Sequence, residues 1–264
     1  MEREVWTVEK MRGLFDLSGK VAIVTGGSGA LGHDAAKGMA AFGADVVITG
    51  RRLENLKVAA ADIAATGAKV LPIVCDATDP ESVEAMVQKT VDELGRVDIL
   101  VTASGQANRF AAEEFPLDEW QKVMDSLVKG TFIACQAAGK RMIAQGGGKI
   151  ITVGSVRGEL GHPGGYSAYG TAKGAVHLLT RQLSAEWAKY RINVNAIAPC
   201  IFWTPLTQQV LDDPELYKIF MQRIPWGRAA DPQDFIGATV YLASAASDFV
   251  TGNILMVDGG STAG

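Results

Sequence analysis

Short apolar runs alternate with longer amphipathic stretches along the first half of the chain. Each run has the length of a buried strand, and each stretch carries apolar residues three and four positions apart, as on one face of a helix. The pattern predicts strands at residues 20–25, 44–49, 70–75 and 98–102, with helices between them at residues 33–42, 53–65 and 82–94. A regular alternation of strand and helix indicates a parallel sheet covered by helices on both faces.

The second half of the chain continues the alternation and adds one longer helix. The pattern predicts strands at residues 149–153, 193–198 and 254–257, and helices at residues 117–145, 167–190 and 232–243. Residues 201–224 follow no regular period, and we interpret them as a segment that covers a substrate. The whole pattern predicts an α/β fold with one doubly wound parallel sheet of about seven strands and helices on both faces.

Composition favours a single domain. The chain has 264 residues, of which 48% are hydrophobic and 20% are charged, so it is long enough for one large core. The sequence contains no internal repeat, low-complexity tract or linker. We therefore expect a polar N-terminal extension at residues 1–14, followed by one domain at residues 15–264.

Charge and cysteine content exclude several classes of protein. The net charge is −4, and lysines and arginines form no run, which argues against nucleic-acid binding. No apolar run approaches the roughly 18 residues that span a bilayer, and residues 1–13 are too charged for a signal peptide, so we expect a cytoplasmic protein without membrane binding. The three cysteines, Cys75, Cys135 and Cys200, lack metal-ligand spacing. Neither a metal site nor a disulfide is expected.

A glycine-rich loop follows the first predicted strand and opens the first predicted helix. Its pattern, Gly27-x-Gly29-x-x-Gly32, matches the dinucleotide-binding fingerprint of Rossmann folds. Because glycines lack β-carbons, backbone amides at the helix start can approach a pyrophosphate. The position in the first strand–helix unit favours a nucleotide site; the alternative is a turn whose glycines serve geometry alone.

Two arginines, Arg51 and Arg52, follow the second predicted strand, where a site built for NAD would present a carboxylate to the ribose hydroxyls. Two cations at the start of a helix are unfavourable, and a 2'-phosphate beside them would relieve the mismatch. We therefore expect NADP rather than NAD. The alternative is a solvated pair of arginines on a loop.

Tyr169 and Lys173 lie four residues apart near a predicted helix start, so they project from one face. A cation about 5 Å from a phenolate would lower the phenol pKa by about 2, which predicts a tyrosine that exchanges protons near neutral pH. Ser155 ends the preceding strand and would hold a substrate carbonyl while the phenol protonates it. The same spacing also occurs in ordinary surface pairs, and Tyr169 extends the apolar stripe of its helix, so a structural role stays open.

These motifs, in this order, resemble the short-chain dehydrogenase/reductase family. The resemblance runs from about Phe15 to the C-terminus, and it rests on residues 25–32, Ser155, Tyr169-x-x-x-Lys173, Thr251-Gly252 and residues 257–260. It implies that Tyr169 donates or accepts the proton, that Ser155 positions the carbonyl, and that Lys173 lowers the phenol pKa and holds the nicotinamide ribose. Hydride then passes between the substrate carbon and nicotinamide.

The resemblance also implies where the cofactor binds. Asp76 would bond an adenine amine or cap its own loop, and Ser104-Gly105 follow the fourth strand at the edge where ligands of such sheets gather. The family also implies a homodimer or homotetramer. The implied cofactor-binding residues are Gly26, Ser28, Gly29, Leu31, Arg51, Arg52, Asp76, Ala77, Ser104, Gly105, Tyr169, Lys173, Pro199, Ile201 and Thr204.

Residues 108–115, 158–161 and 224–228 are similar to family members that act on gluconate and related keto-sugar acids. An arginine near the pocket, such as Arg109 or Arg157, would pair with a substrate carboxylate; the alternative is a surface arginine. Trp203, in the irregular segment, is a further candidate for substrate contact. The expected substrate is thus a polyol, a sugar acid or a related polar carbonyl compound.

Several positions depart from the family pattern. Ala30 replaces the second glycine of the usual spacing, and Thr102-Ala103-Ser104-Gly105 replace Asn-Asn-Ala-Gly, so another group must support that strand end. Leu127 stands where the family has an asparagine that holds a water of the proton relay. Ser126 is adjacent, but it would point away from the site in a regular helix. Pro199-Cys200 replaces Pro-Gly.

Three functions follow. The leading hypothesis is an NADP-dependent oxidoreductase that interconverts a secondary alcohol and a ketone, with Tyr169 as general acid and base. Because of Leu127, the alternative is a nucleotide-binding protein with little catalysis. A third possibility is an elimination or epimerisation with bound cofactor, which would consume no free NADPH.

Overall fold

The strands form one parallel sheet. The computed structural model describes residues 6–204 and 207–263. Its strands are β1 (Val21–Thr25), β2 (Asp45–Gly50), β3 (Val70–Val74), β4 (Ile99–Thr102), β5 (Gly148–Val153), β6 (Ile192–Pro199) and β7 (Ile254–Val257). They pair in the order β3-β2-β1-β4-β5-β6-β7. The sheet therefore has the seven strands, all parallel, that the apolar runs predict.

Helices cover both faces of the sheet. They are α1 (Val8–Arg12), α2 (Ala30–Ala41), α3 (Leu53–Ala64), α4 (Pro80–Leu94), α5 (Leu117–Met124), α6 (Gly130–Gln145), α7 (Ser167–Trp187), α8 (Gln208–Leu211), α9 (Pro214–Met221) and α10 (Pro232–Ala243). No helix in the described part of the chain is long and apolar enough to cross a membrane.

Each strand of the sheet centre is buried on both sides. In β1, Ala22 and Val24 pack into one apolar cluster with Phe235 of α10, whereas Ile23 faces the other cluster with Met142 of α6. Both clusters consist of apolar residues from strands and helices, which explains why the central strands read as continuous apolar runs. The core therefore lies in two layers, one on each face of the sheet.

The predicted helix at residues 117–145 is interrupted. A π-helical turn at Asp125–Lys129 separates α5 from α6, so the prediction of one regular helix was wrong. A π-helical turn changes which side chains share a face, and apolar spacing alone does not reveal it. Of the predicted N-terminal extension, residues 1–5 lie outside the described residues, and α1 is followed by a 3-10 turn at Gly13–Phe15. The division at residue 15 stays a prediction.

Candidate active site

A cleft of about 510 Å³ opens where β1 and β4 end. The loop after β4 and the loops after β1, β2 and β3 all line it, as expected at the point where the strand order reverses. Most residues predicted to bind the cofactor lie together here: Gly26, Ser28, Gly29, Arg51, Arg52, Asp76, Ala77, Ser104 and Gly105.

The glycine loop leaves the start of α2 open. Gly26 has a φ of +68°, a conformation that favours glycine. A β-carbon at this residue would lie only 2.8 Å from the Ala103 carbonyl oxygen, so no other residue fits. Gly29 is the N-cap residue of α2, and no side chain caps this end of the helix. Backbone amides at the helix start are therefore free to bind a phosphate, so the loop fits the dinucleotide that the sequence implies. Ala30 is already helical, which explains why a glycine is not needed there.

Arg51 and Arg52 are exposed at the rim of the cleft. Arg52 lies beside the amide of Asn55, while Arg51 lies close enough to Asp76 to lower the pKa of that carboxyl. The larger effect on Asp76 comes from Thr78, whose backbone amide and hydroxyl donate to Asp76 Oδ1 at 2.9 and 2.8 Å. Asp76 thus caps its own loop, one of the two roles the sequence left open.

Support for the end of β4 comes from β1. Thr25 Oγ1 donates to Ser104 Oγ at 3.1 Å, and the Ala103 amide donates to the Thr25 carbonyl at 3.2 Å. Thr25 therefore holds the end of β4; that this contact takes over the role of the family's asparagines stays a prediction. The Thr102 hydroxyl is buried without a hydrogen-bond partner among the described residues.

Ser155 lies in the loop just after β5, two residues beyond Val153, and Tyr169 and Lys173 occupy the first turns of α7. Ser155 Oγ accepts a hydrogen bond from the Arg157 amide at 3.1 Å, and the Ser155 hydroxyl also lies close enough to the Tyr169 phenol to lower its pKa by hydrogen bonding. Lys173 Nζ lies 5.6 Å from the centre of the Tyr169 ring and donates to the Val153 carbonyl at 2.6 Å. The structure therefore brings together the serine, phenol and amine that the sequence predicts.

The predicted effect of Lys173 on Tyr169 does not appear in this structure. Burial raises the pKa of Tyr169, and the Ser155 hydroxyl and Arg157 offset this only in part. Burial also lowers the pKa of Lys173 to about 8. The prediction that the phenol pKa falls was wrong here because it treated the pair as lying in a polar medium and left out the loss of water around the phenol.

Leu127 is 4% exposed and packs with Val123, Ala168 and Ala172. It lies in the π-helical turn. That it stands in the place of the family's relay asparagine stays a prediction. The expectation that Ser126 points away held only for a regular helix, and the helix is not regular at this residue. Ser126 lines the cleft, and the Gln106 amide donates to its hydroxyl at 3.5 Å.

Two arginines lie close to the ring of Tyr166, a neighbour of Tyr169. The guanidinium carbons of Arg109 and Arg157 lie 5.5 and 5.9 Å from the centre of the Tyr166 ring. Arg109 Nη1 donates to the Tyr166 hydroxyl at 3.3 Å, and the Tyr166 and Tyr169 rings pack edge to face with centres 5.9 Å apart. Trp203 belongs to a different group, since it stacks on Tyr217 at 6.4 Å.

Six predicted cofactor residues lie outside the lining of the cleft. Two of them are Tyr169 and Lys173, described above. Leu31 packs against the core, and Ile201 is buried with Leu211 and Ile224. Thr204 is held in a turn, where its hydroxyl and that of Thr207 are 3.0 Å apart. Pro199 is the last residue of β6. Their roles stay predictions.

Sequence reasoning missed three ring side chains around the site. The ring of Tyr166 contacts the guanidinium groups of both arginines. The His162 ring packs edge to face on Tyr166, with the ring centres 5.0 Å apart. His177 is buried beneath Ser155, whose amide donates to its ring. His177 lies one turn after Lys173 and two turns after Tyr169, and this shared helix face is the signal that identifies it.

Comparison with known proteins places the chain among dehydrogenases and reductases. A family model described as enoyl-(acyl carrier protein) reductase matches residues 27–262. The gluconate 5-dehydrogenase of Gluconobacter oxydans is 39% identical over 249 residues, covering 94% of this chain and 97% of that protein. The 2-dehydro-3-deoxy-D-gluconate 5-dehydrogenase of Dickeya dadantii is 42% identical over 249 residues, covering 93% and 96%.

Solved structures agree. A gluconate 5-dehydrogenase from Burkholderia cenocepacia, in complex with NADP and tartrate, superposes with a TM-score of 0.91 at 37% identity and covers 95% of this chain and 98% of that chain. A short-chain type dehydrogenase/reductase from Mycobacterium marinum gives a TM-score of 0.91 at 39% identity, covering 96% and 99%. The chain therefore belongs to the short-chain dehydrogenase/reductase family.

Proposed function

We propose that this chain is an NADP-dependent oxidoreductase that interconverts a secondary alcohol and a ketone, with Tyr169 as general acid and base. One observation carries the proposal: Ser155, Tyr169 and Lys173 converge beside a glycine-lined cleft with an uncapped helix start. When bound, the nicotinamide would supply or accept hydride. The amides at the start of α2 would hold the pyrophosphate, and Arg51 would pair with the 2'-phosphate.

The three side chains have complementary roles. Because burial raises the pKa of Tyr169, its phenol keeps the proton at neutral pH and can deliver it to a ketone oxygen. The Ser155 hydroxyl lies beside the Tyr169 phenol and can donate to that oxygen. Lys173, with a pKa of about 8, stays largely cationic at neutral pH and favours the phenolate that remains after transfer.

The pair of arginines supports an anionic or strongly polar substrate. Arg109 and Arg157 meet on Tyr166, whose ring contacts that of Tyr169, so a carboxylate there would lie near the reacting group. Relatives named for gluconate and its derivatives support a sugar acid, as does the tartrate in one related structure. A polyol or related polar carbonyl compound fits the same relatives, one of which is named for galactitol.

The alternative, a nucleotide-binding protein with little catalysis, rests on Leu127. Its buried apolar side chain cannot hold the relay water that an asparagine would bind. We prefer the oxidoreductase, because protons can also reach a site through ordered solvent.

The deciding experiment compares Tyr169→Phe with wild type and with Tyr190→Phe, a tyrosine beyond the far end of the same helix. Turnover is followed by absorbance with NADPH and NADH, and with NADP and NAD, on sugar acids, polyols and hydrophobic ketones. We expect Tyr169→Phe to lose about 100- to 10,000-fold in turnover with NADPH binding kept. Full activity in that variant refutes the proposal, and tight NADPH binding by a wild type that turns over nothing supports the alternative.

We also propose a homodimer or homotetramer in the cytoplasm, without a nucleic-acid or membrane partner. Large apolar side chains are exposed on helices, among them Leu117 of α5 at 83% and Leu178 of α7 at 64%. Surfaces of this kind are typical of subunit interfaces. Sedimentation analysis of the wild type and of Leu178→Glu tests this: a monomeric wild type refutes the proposal.

A further inference from the structure

The loop that carries Ser155 is folded around the imidazole ring of His177. His177 is 2% exposed, although its residue type is polar. A β-carbon on Gly154 would collide with His177 Nε2, and one on Gly158 would lie 2.5 Å from His177 Cε1. Glycines on both sides of Ser155 thus let the backbone approach the ring more closely than any other residue would allow.

Hydrogen bonds fix the ring in one orientation. His177 Nδ1 lies 3.0 Å from Glu159 Oε1, and the Ser155 amide donates to His177 Nε2 at 3.5 Å. A carboxylate can only accept and an amide can only donate, so Nδ1 carries the hydrogen and Nε2 accepts. The neutral ring therefore connects a carboxylate near the surface to the backbone of the buried serine.

We propose that His177 is a positioning residue for Ser155, and that Glu159 sets the tautomer in which His177 can act. The inference rests on the proposed function, in which Ser155 holds the substrate oxygen. The ring bonds to the backbone amide of Ser155 and not to the Ser155 hydroxyl or to Tyr169. It therefore acts on the position of the serine and not on the reacting groups themselves. Because the Ser155 hydroxyl is bound to the Arg157 amide of the same loop, a shift of the loop moves the hydroxyl with it.

The charged groups around His177 favour the required neutral form. Burial lowers the pKa of His177, while the nearby carboxylate of Glu159 raises it and the cations Arg181 and Lys173 lower it further. Arg181 Nη2 also lies 3.8 Å from Glu159 Oε1, so it shares that carboxylate. A protonated ring would carry hydrogen on Nε2 and face the Ser155 amide donor to donor, which would push the loop away.

Paired substitutions separate the two bonds of the ring. In His177→Gln the side-chain oxygen can reach the position of Nε2 and accept from the Ser155 amide, whereas the shorter side chain of His177→Asn can reach only Glu159. Thr180→Val is the matched control. Thr180 lies on α7 like His177 and bonds to Thr152 of β5 at 2.7 Å, so the variant removes a buried hydrogen bond of the same helix without changing a contact of Ser155. Displacement of a reacting group by about 1 Å can cost about 100-fold in rate.

We expect His177→Asn to lower kcat by about 10- to 100-fold, with the affinity for NADPH unchanged, and His177→Gln and Thr180→Val to keep kcat within about threefold. Equal losses in the Asn and Gln variants, or the same loss in Thr180→Val, would overturn the proposal, because the effect would then be general destabilisation. An undiminished kcat in His177→Asn would overturn it as well.

A second measurement does not depend on catalysis. Histidine-labelled wild-type protein is examined by ¹H–¹⁵N NMR between about pH 5 and pH 8, where histidines ordinarily titrate. We expect His177 to show hydrogen on Nδ1 only, and Glu159→Leu to lose this preference. Hydrogen on Nε2 in the wild type refutes the positioning role even if the enzyme is active. If the wild type turns over no substrate, the proposed function fails, while the tautomer still tests this inference.

Discussion

The side chain of Leu127 covers the backbone of Gly105, with Leu127 Cδ2 in the space that a β-carbon on Gly105 would fill. Gly105 lines the cofactor cleft after the end of β4, and Leu127 lies in the π-helical turn between α5 and α6. The contact is apolar. Leu127 therefore forms part of the wall of the site.

Replacing Leu127 tests how much this contact contributes. Leu127→Asn puts a polar amide into an apolar cluster and removes packing, so we expect the free energy of unfolding to fall by about 2–4 kcal/mol. Leu127→Met keeps the volume and should cost less than about 1.5 kcal/mol. Urea denaturation measures both. Equal stability of the Asn variant and wild type would show that the contact with Gly105 does not stabilise the fold.

Arg51 provides the test for cofactor choice. It is exposed at the rim of the cleft, where a phosphate beside it would gain a charged hydrogen bond. We expect Arg51→Ala to weaken NADPH binding by about 10- to 100-fold and NADH binding by less than about threefold. Fluorescence titration of both nucleotides measures this, with Arg52→Ala for comparison. Equal weakening of NADPH and NADH would refute the 2'-phosphate role.

Much of the fold could be predicted because both faces of the sheet are covered. Strands such as β7 and helices such as α10 have the predicted limits, since buried strands give continuous apolar runs and amphipathic helices give a clear period. The order of the motifs also predicts which loops meet, because parallel strands place their carboxyl ends at one edge. The nine predicted residues in the cleft follow from this rule.

Other features depend on distances that a sequence does not contain. The π-helical turn at Asp125–Lys129 changes the direction of Ser126, and no residue type requires it. The sign of the pKa change at Tyr169 depends on burial, which outweighs the neighbouring groups. His177 reads as an ordinary helix residue until β5 and the loop after it are placed against α7.

The stability of the protein should depend on pH through Lys173. Burial lowers the pKa of Lys173 from 10.5 to about 8, so between these values the unfolded chain holds a proton that the folded chain has lost. Stability relative to a variant without the amine therefore rises with pH in this window, by up to about 3 kcal/mol.

Lys173→Met is that variant. We expect the difference in the free energy of unfolding, wild type minus variant, to increase from about pH 7 to about pH 10. Urea denaturation at both values gives the difference, and titrations common to the two proteins cancel. A difference that is constant, or that falls with pH, contradicts a pKa of Lys173 lowered by burial.

Thr102 and Thr152 form a matched pair for testing buried hydroxyls. They are register partners on β4 and β5, but Thr152 bonds to Thr180 at 2.7 Å, whereas the Thr102 hydroxyl is buried without a partner among the described residues. We expect Thr102→Val to leave the melting temperature unchanged or raise it, corresponding to about 0–1 kcal/mol. Thr152→Val should lower stability by about 1 kcal/mol. The reverse order would show that the Thr102 hydroxyl is satisfied in solution.

The π-helical turn makes the spacing of the chain, and not only its residue types, important to the site. Such a turn holds one residue more than the α-helical turn that it replaces. Deleting one residue there would restore a regular helix and turn α5 by about 100° relative to α6. Val123, which now packs against Ala168 and Ala172 of α7, would then face elsewhere. Insertions and deletions at this turn should therefore be tolerated far less than substitutions.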